Sequence, residues 1–190
     1  MTMMQLVEQH IIDQNDPRWQ VIDQAAWFSK NIYNAANYQV RQSYIFTGVY
    51  LNYHAIEKRF KQRHLLPDQQ LPLKVVQQVL KQLDHDWQAY FAALAEWKAH
   101  PEKFQGKPRL PKYKQTTHGR NLLTYTAQAI RKKALADGFI EPSGLPIRVK
   151  TRQREVDQVR IVPRSHHYVV EVIYTVERPP AAGDQQMVLG

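Results

Sequence analysis

Within Phe104–Lys114, FQGKPRLPKYK, four cations (Lys107, Arg109, Lys112 and Lys114) alternate with two prolines and two aromatic rings. The chemistry such a stretch can do is to grip a polyanion. The cations neutralise phosphates, and Phe104, Tyr113 and, further on, Tyr125 offer faces on which bases can stack. Pro108 and Pro111 fix their own backbone angles and hold the segment extended, so that its charges can follow a phosphate track. Between Lys98 and Lys133 there are ten Lys/Arg against the single acid Glu102, a surplus equal to the formal net charge of +9 for the whole chain. The remainder is neutral in sum. A solvated basic linker is the commoner meaning of a charge run; the interleaved rings and prolines favour nucleic acid here.

Other chemistries find little purchase. Two-metal phosphoryl transfer needs convergent carboxylates. Asp84 and Asp86 stand at i, i+2 in a helical pattern and point apart, and Asp13 and Asp16 flank a helix start. None of the eight histidines falls in an H-x-x-x-H or H-E-x-x-H arrangement, and His166-His167 is an adjacent pair in a turn pattern. There is no nucleophile elbow, Walker loop or dinucleotide fingerprint. The sequence therefore offers no catalytic residues, no metal ligands and no small-molecule substrate site. It contains no cysteine, which removes disulfides and thiolate zinc sites and suits a cytoplasmic setting. The apolar runs are only a handful of residues long, so no membrane partner is expected. The first residues lack the pattern of a secretory signal.

The elements that must position the basic segment follow from periodicity. Met4–Ile12 reads as an opening strand. Asn15-Asp16-Pro17 marks a helix start, with proline at the first helical position. Ile22, Ala25, Phe28, Ile32, Ala36 and Val40 then recur at helical spacing to about Tyr44. The other face of that helix carries Lys30, Asn31, Asn34, Asn37 and Arg41. Such a row can touch phosphates and bases, although spacing alone favours a solvated face. Gly48 ends the helix. Tyr50–His64 reads as a second helix, and Leu66–Pro72 as a turn. Pro72 opens a third helix with apolar Val76, Val79, Leu80, Leu83, Trp87, Tyr90, Phe91, Leu94 and Trp97, which should pack on the first. Beyond the basic segment the period shortens: Asn121–Gln128, Leu145–Lys150, Val156–Val162 and Tyr168–Glu177 read as strands, with Pro163–His167 as a hairpin turn. Ala129–Asp137 reads as a short helix ended by Gly138.

The expected class is α+β: a small antiparallel sheet or β-barrel interrupted by an inserted three-helix domain. Residues 1–12 supply the first strand, 13–100 the helical domain, 101–180 the β domain with its basic entry, and 181–190 a linker that ends on the apolar MVLG.

Several phrases carry a resemblance that spans essentially the whole chain. They are LVEQHII at Leu6–Ile12, SKNIYNAANYQVRQ at Ser29–Gln42, LPLKVVQQVL at Leu71–Leu80, FQGKPRLPKYK, SGLPIRVKT at Ser143–Thr151 and QVRIVPRSHHYVVEVIY at Gln158–Tyr174. On these the chain resembles the N-terminal part of the TnpB/OrfB proteins of bacterial insertion sequences, which are RNA-guided DNA nucleases. The resemblance implies a recognition lobe, a wedge-like β-barrel split by a helical domain, that holds a guide RNA and reads a short motif in duplex DNA beside the target. It implies that Lys74 and Gln78, one turn apart on the third helix, touch that motif, with Tyr50, Tyr125 and Thr126 completing the contact. Lys107, Arg109, Lys112, Lys114 and Arg120 would neutralise backbone phosphates, and Asn34, Asn37 and Arg41 would contact the duplex or the guide. The family's RuvC-like catalytic domain binds divalent metal such as magnesium through three carboxylates. The MVLG ending resembles the approach to the first of them, so the expectation is a lobe cut off before its nuclease, with that domain as its natural packing partner. A nucleoid-associated bacterial location follows from the same resemblance. Two other readings stay open: a nuclease-dead DNA-binding regulator, and a non-functional transposase remnant.

Overall fold

The computed structural model describes residues 2–62 and 71–178; the expected linker and MVLG ending, the end of the second helix at Arg63-His64 and most of the Leu66–Pro72 turn lie outside them. The first strand, β1 (Thr2–Asp13), leads through a turn into α1 (Trp19–Thr47). Asp16 accepts hydrogen bonds from the backbone N–H and guanidinium of Arg18 and so closes the turn before the helix, which starts two residues later than Pro17 suggests. At its far end Gly48 takes a left-handed conformation (φ 71°) and returns its N–H to the Tyr44 carbonyl, a helix stop that a side chain would strain. Then come α2 (Tyr53–Gln62) and α3 (Leu73–Ala99).

The pairing of α1 with α3 follows from their apolar stripes. Ile22, Ala26, Ile32, Tyr33, Ala36 and Val40 on one helix and Val76, Val79, Leu80, Leu83 and Trp87 on the other are buried in a common core. Small residues on α1 leave room for the rings of α3. Trp87 sits at the centre of an aromatic cluster with Tyr44, Tyr50, Tyr90 and Phe91, ring centroids 5.4–5.9 Å from its own. Rings at such separations gain from edge-to-face contact beyond the area they bury.

After α3 the chain passes through the basic segment to β2 (Leu123–Thr126), a short helix α4 (Lys132–Ala136), β3 (Phe139–Ile140), β4 (Val149–Lys150), β5 (Gln158–Pro163) and β6 (His167–Arg178). The main sheet is antiparallel in the order β1-β6-β5-β2, and β3-β4 form a separate two-stranded ribbon. The opening strand pairs along its whole length with the last, from Thr2 opposite Arg178 to Asp13 opposite His167. The α+β class fits the expectation, and the helices lie in sequence between the paired strands β1 and β6. The β5–β6 hairpin also forms, with Arg164 donating to the His167 carbonyl across its turn.

The expected barrel does not close. β1 and β2 lie at opposite edges of a four-stranded sheet, and β2 is only four residues long. Closure takes more strands and a continuous stagger between them. The Leu145–Lys150 strand is also shorter than its sequence suggests, pairing only at Val149–Lys150. Pro146 has no N–H to give, and Leu145 and Ile147 spend theirs in local turns on the carbonyls of Pro142 and Leu145. On the inward face of the sheet, Ile12, Leu123, Tyr125, Val159, Ile161, Val170 and Val172 are buried. The outward face carries an ion pair, Arg160 to Glu171 at 2.7 Å.

Helices and sheet meet at Asn121. Its backbone N–H donates to the Ala26 carbonyl, while its side-chain amide donates to Ser29 Oγ and to the Gln82 amide oxygen (both 3.1 Å). The Ser29 hydroxyl in turn donates to the Leu122 carbonyl. One buried asparagine thus ties α1, α3 and the entrance of β2.

Candidate nucleic-acid interface

The basic segment crosses α1 as an irregular ribbon, and a stripe of α1 side chains at 30, 34, 37 and 41 holds it by its backbone. Lys30 donates to the Thr116 carbonyl. The Asn34 amide donates to the Lys114 carbonyl and accepts from the Lys114 N–H, both at 2.8 Å, imitating a strand partner. Asn37 and Arg41 both donate to the Pro111 carbonyl, at 3.0 and 2.9 Å. These α1 residues recur every three or four positions and so lie on one helical line, along which the ribbon runs antiparallel. Because the grip is on the backbone, the side chains of Lys107, Arg109, Lys112 and Tyr113 stay exposed, while Leu110 packs on the core.

Lys107, Arg109 and Lys112 are exposed, and Lys114 is half-buried with its ammonium 4.7 Å from the Tyr33 ring centroid. Among the described residues none of these four pairs with a carboxylate. Two adjoining grooves of about 410 and 490 Å³ run between the ribbon and the helices; Arg109, Lys112 and Tyr90 line both. Lys107 lies over Trp97 at 6.0 Å and enters the second groove. The first also contains Asp86, whose carboxylate accepts the Tyr33 hydroxyl at 2.7 Å.

Several expected contacts are spent elsewhere. Asn37 is fully buried, its oxygen accepting from Trp87 Nε1 at 3.1 Å, so it cannot reach a duplex. Asn34 uses its amide on Lys114, and Arg41 is turned to Pro111 and to the Tyr113 ring. These three residues hold the ribbon. Arg120 forms a two-pronged pair with Asp23 (2.8 and 2.7 Å), which neutralises its charge. Tyr125 is buried in the sheet, its hydroxyl without a partner among the described residues, and it offers no stacking face. Burial raises its pKa. Tyr50 belongs to the Trp87 cluster, and its hydroxyl donates to Asp84 at 2.6 Å. Burial first, and then the Asp84 carboxylate, raise its pKa.

Lys74 is exposed and Gln78 half-buried on the first turns of α3. Asp84, to which Tyr50 is bound, is ten residues further along that helix, about 15 Å away. Tyr50 therefore does not join Lys74. A different feature stands beside the start of α3. Gly144 (φ 68°) packs so closely on Pro72 that a Cβ would lie 2.4 Å from its ring. The Gly144 turn lines a cleft of about 870 Å³ with Gln128–Arg131 and Arg148. In that cleft Glu141 bridges Arg131 (3.1 Å) and Arg148 (2.9 Å), and the Arg148 guanidinium stacks 4.0 Å above Phe139. Thr126, half-buried, ends β2 just before this cleft. Exposed Lys132, Lys133, Lys150, Arg152 and Arg154 lie in the neighbouring segments. Charge counting over the chain hides this second basic region, because acids elsewhere balance it; the spacing of Arg148, Lys150, Arg152 and Arg154 was the available signal.

Asp84 and Asp86 face different partners, Tyr50 and Tyr33, as their i, i+2 spacing requires. Among the described residues no three His, Asp or Glu side chains gather as a metal group, and no helix is long and apolar enough to cross a membrane. No protein-family model matches the chain, and no curated protein matches it.

The Asp23–Arg120 pair, joined by the Tyr168 hydroxyl at 2.7 Å, anchors the ribbon's exit to α1 and β6. Burial works to raise the Asp23 carboxyl. The hydrogen bonds from Arg120 and Tyr168 and the Arg120 charge outweigh it and hold the group below the ordinary carboxylate range. A depressed carboxyl contributes stability that is present above its unfolded pKa of about 3.9 and is lost as pH falls through the folded value. Asp23→Asn should cost about 2 kcal/mol at neutral pH. It should also flatten the dependence of the urea midpoint on pH below about 4. A variant whose acid limb matches the parent would assign that limb to other carboxylates.

Proposed function

We propose that this chain is a nucleic-acid-binding recognition lobe of the kind found in TnpB/OrfB-like RNA-guided nucleases, binding a guide RNA and a short DNA motif beside the target, and not cutting by itself. The observation that carries this reading is the backbone grip on the ribbon. Four α1 side chains immobilise an extended basic segment and leave Lys107, Arg109 and Lys112 exposed and, among the described residues, without an ion pair, a preorganised track for phosphates. The wedge-like barrel of that family would have to be completed by parts beyond the open sheet. Magnesium and the carboxylates that hold it would belong to the nuclease domain.

For motif reading the proposal rests on Lys74 and Gln78, with Thr126 and the Arg131–Arg148 cleft beside them. The juxtaposition of Gly144 with Pro72 supports grouping these elements on one surface. Tyr50 and Tyr125 have no part in it. The test is binding to a randomised duplex library, followed by sequencing of the retained fraction. The parent should enrich one short motif. Lys74→Ala with Gln78→Ala should abolish the enrichment while bulk affinity stays within a few-fold, since a lost base contact relaxes specificity at its own position. A uniform loss over all sequences would make the pair phosphate contacts only, and no enrichment by the parent would remove motif reading.

A further inference from the structure

We infer that the ribbon face carries a stacking platform for unpaired bases, so that its partner is single-stranded nucleic acid; this inference rests on the ribbon being a phosphate track. The two α1 cations that pin the ribbon each also back an aromatic ring. The Lys30 ammonium, buried and bound to the Thr116 carbonyl, sits 5.0 Å from the Trp27 ring centroid. The Arg41 guanidinium, bound to the Pro111 carbonyl, sits 5.2 Å from that of Tyr113. Trp27 is 39% exposed and Tyr113 43% exposed, large values for rings that already have a cation over them.

An aromatic residue that served only the core would bury its faces, as Tyr33 does. Trp27, which also meets the Phe28 ring edge-on at 5.2 Å, and Tyr113 instead have a fixed cation over the ring and keep about two-fifths of their surface exposed. Tyr38, 52% exposed, stands eleven residues beyond Trp27, three helical turns, and so on the same stripe of α1. Lys30 and Arg41 are likewise eleven residues apart, about 16 Å along the helix. That length spans about five nucleotides at the 3.4 Å rise of a stacked strand. The occupant is fixed by charge complementarity. Tyr113 lines a groove with Arg109 and Lys112, which make no ion pair among the described residues, and a chain of alternating phosphates and flat bases matches cations beside rings. Duplex DNA presents phosphates but keeps its bases inside the stack, and so would leave the rings idle.

The experiment uses the full chain with oligo(dT) of about twenty nucleotides and the same strand annealed to oligo(dA). Tryptophan emission should be quenched by oligo(dT), and the quenching should shrink in Trp27→Phe, which keeps a ring but removes this one of the four tryptophans. Trp27→Leu and Tyr113→Leu should each weaken oligo(dT) binding by about 5- to 150-fold, the range of one lost stack. Trp27→Phe and Tyr113→Phe should bind as the parent does, which separates stacking from a loss of fold. Duplex affinity should be unchanged throughout. Leu variants that bind oligo(dT) like the parent, or that lose single strand and duplex alike, overturn the platform. If neutralising Lys107, Arg109 and Lys112 also changes nothing, the ribbon reading itself falls. If that neutralisation weakens binding while the Leu variants do not, the platform alone falls.

Discussion

Replacing Lys107, Arg109 and Lys112 with glutamine should lower affinity for duplex DNA at 0.1 M salt by roughly 500-fold. The estimate follows from counterion release: each neutralised phosphate contributes about 0.9 to the slope of log K against log salt. Three lost contacts reduce that slope by about 2.7, and two lines that meet near 1 M salt then stand about 2.7 decades apart at 0.1 M. On a single strand, with about 0.7 per phosphate, the gap is roughly 100-fold. All three residues are exposed and among the described residues make no ion pair, so thermal stability should stay within about 0.5 kcal/mol of the parent. Equilibrium binding over a salt series checks the result. A slope that does not move would mean that phosphates lie elsewhere, with the Arg148–Arg154 region as the next place to look.

The second large effect concerns the grip itself. Asn34→Leu combined with Asn37→Leu leaves the Lys114 N–H, the Lys114 carbonyl and the buried Trp87 indole N–H without partners, while Arg41 still serves Pro111. At about 1 kcal/mol each, at the low end for orphaned groups, the cost is about 3 kcal/mol. In a chain of this size that lowers the Tm by about 6–12 °C. The Lys114 amide should also lose its protection from hydrogen exchange before the α1 and α3 cores do, because it is the ribbon that comes free. Protection that persists at Lys114 would mean that packing, not the amides, holds the ribbon down. Binding should weaken too, though less than on removing the cations, since a loose ribbon keeps its charge and loses only its preorganisation.

The helices and the two long strands were legible because burial writes its period into the sequence. The stripe Ile22–Val40 and the alternation of β6 each describe one face of one element, a local property. The ribbon was legible from composition. What its neighbours do was not. The asparagines of α1 suit a duplex contact or a backbone grip equally well, and only the approach of a segment seventy to eighty-six positions away decides between them. Arg120 reads as one more free cation until Asp23, ninety-seven positions earlier, is seen beside it. Tyr125 carried a usable warning: it alternates with Leu123, and both side chains enter the core. Sheet closure left no local mark at all, since it depends on how many strands meet and not on what any one contains.

The pairing of β1 with β6 has a cost during synthesis. Asp13 leaves the ribosome about 150 residues before its partner His167, a delay of roughly 8–30 s at ordinary elongation rates. Throughout that wait Met3, Val7 and Ile11 hang on a lone extended segment with no ladder beside it, and even in the finished sheet they remain uncovered. The three helices, whose contacts are close in sequence, can collapse meanwhile. The nascent chain is therefore sticky along β1 until His167–Arg178 has emerged, which makes that segment a candidate client for a holding chaperone.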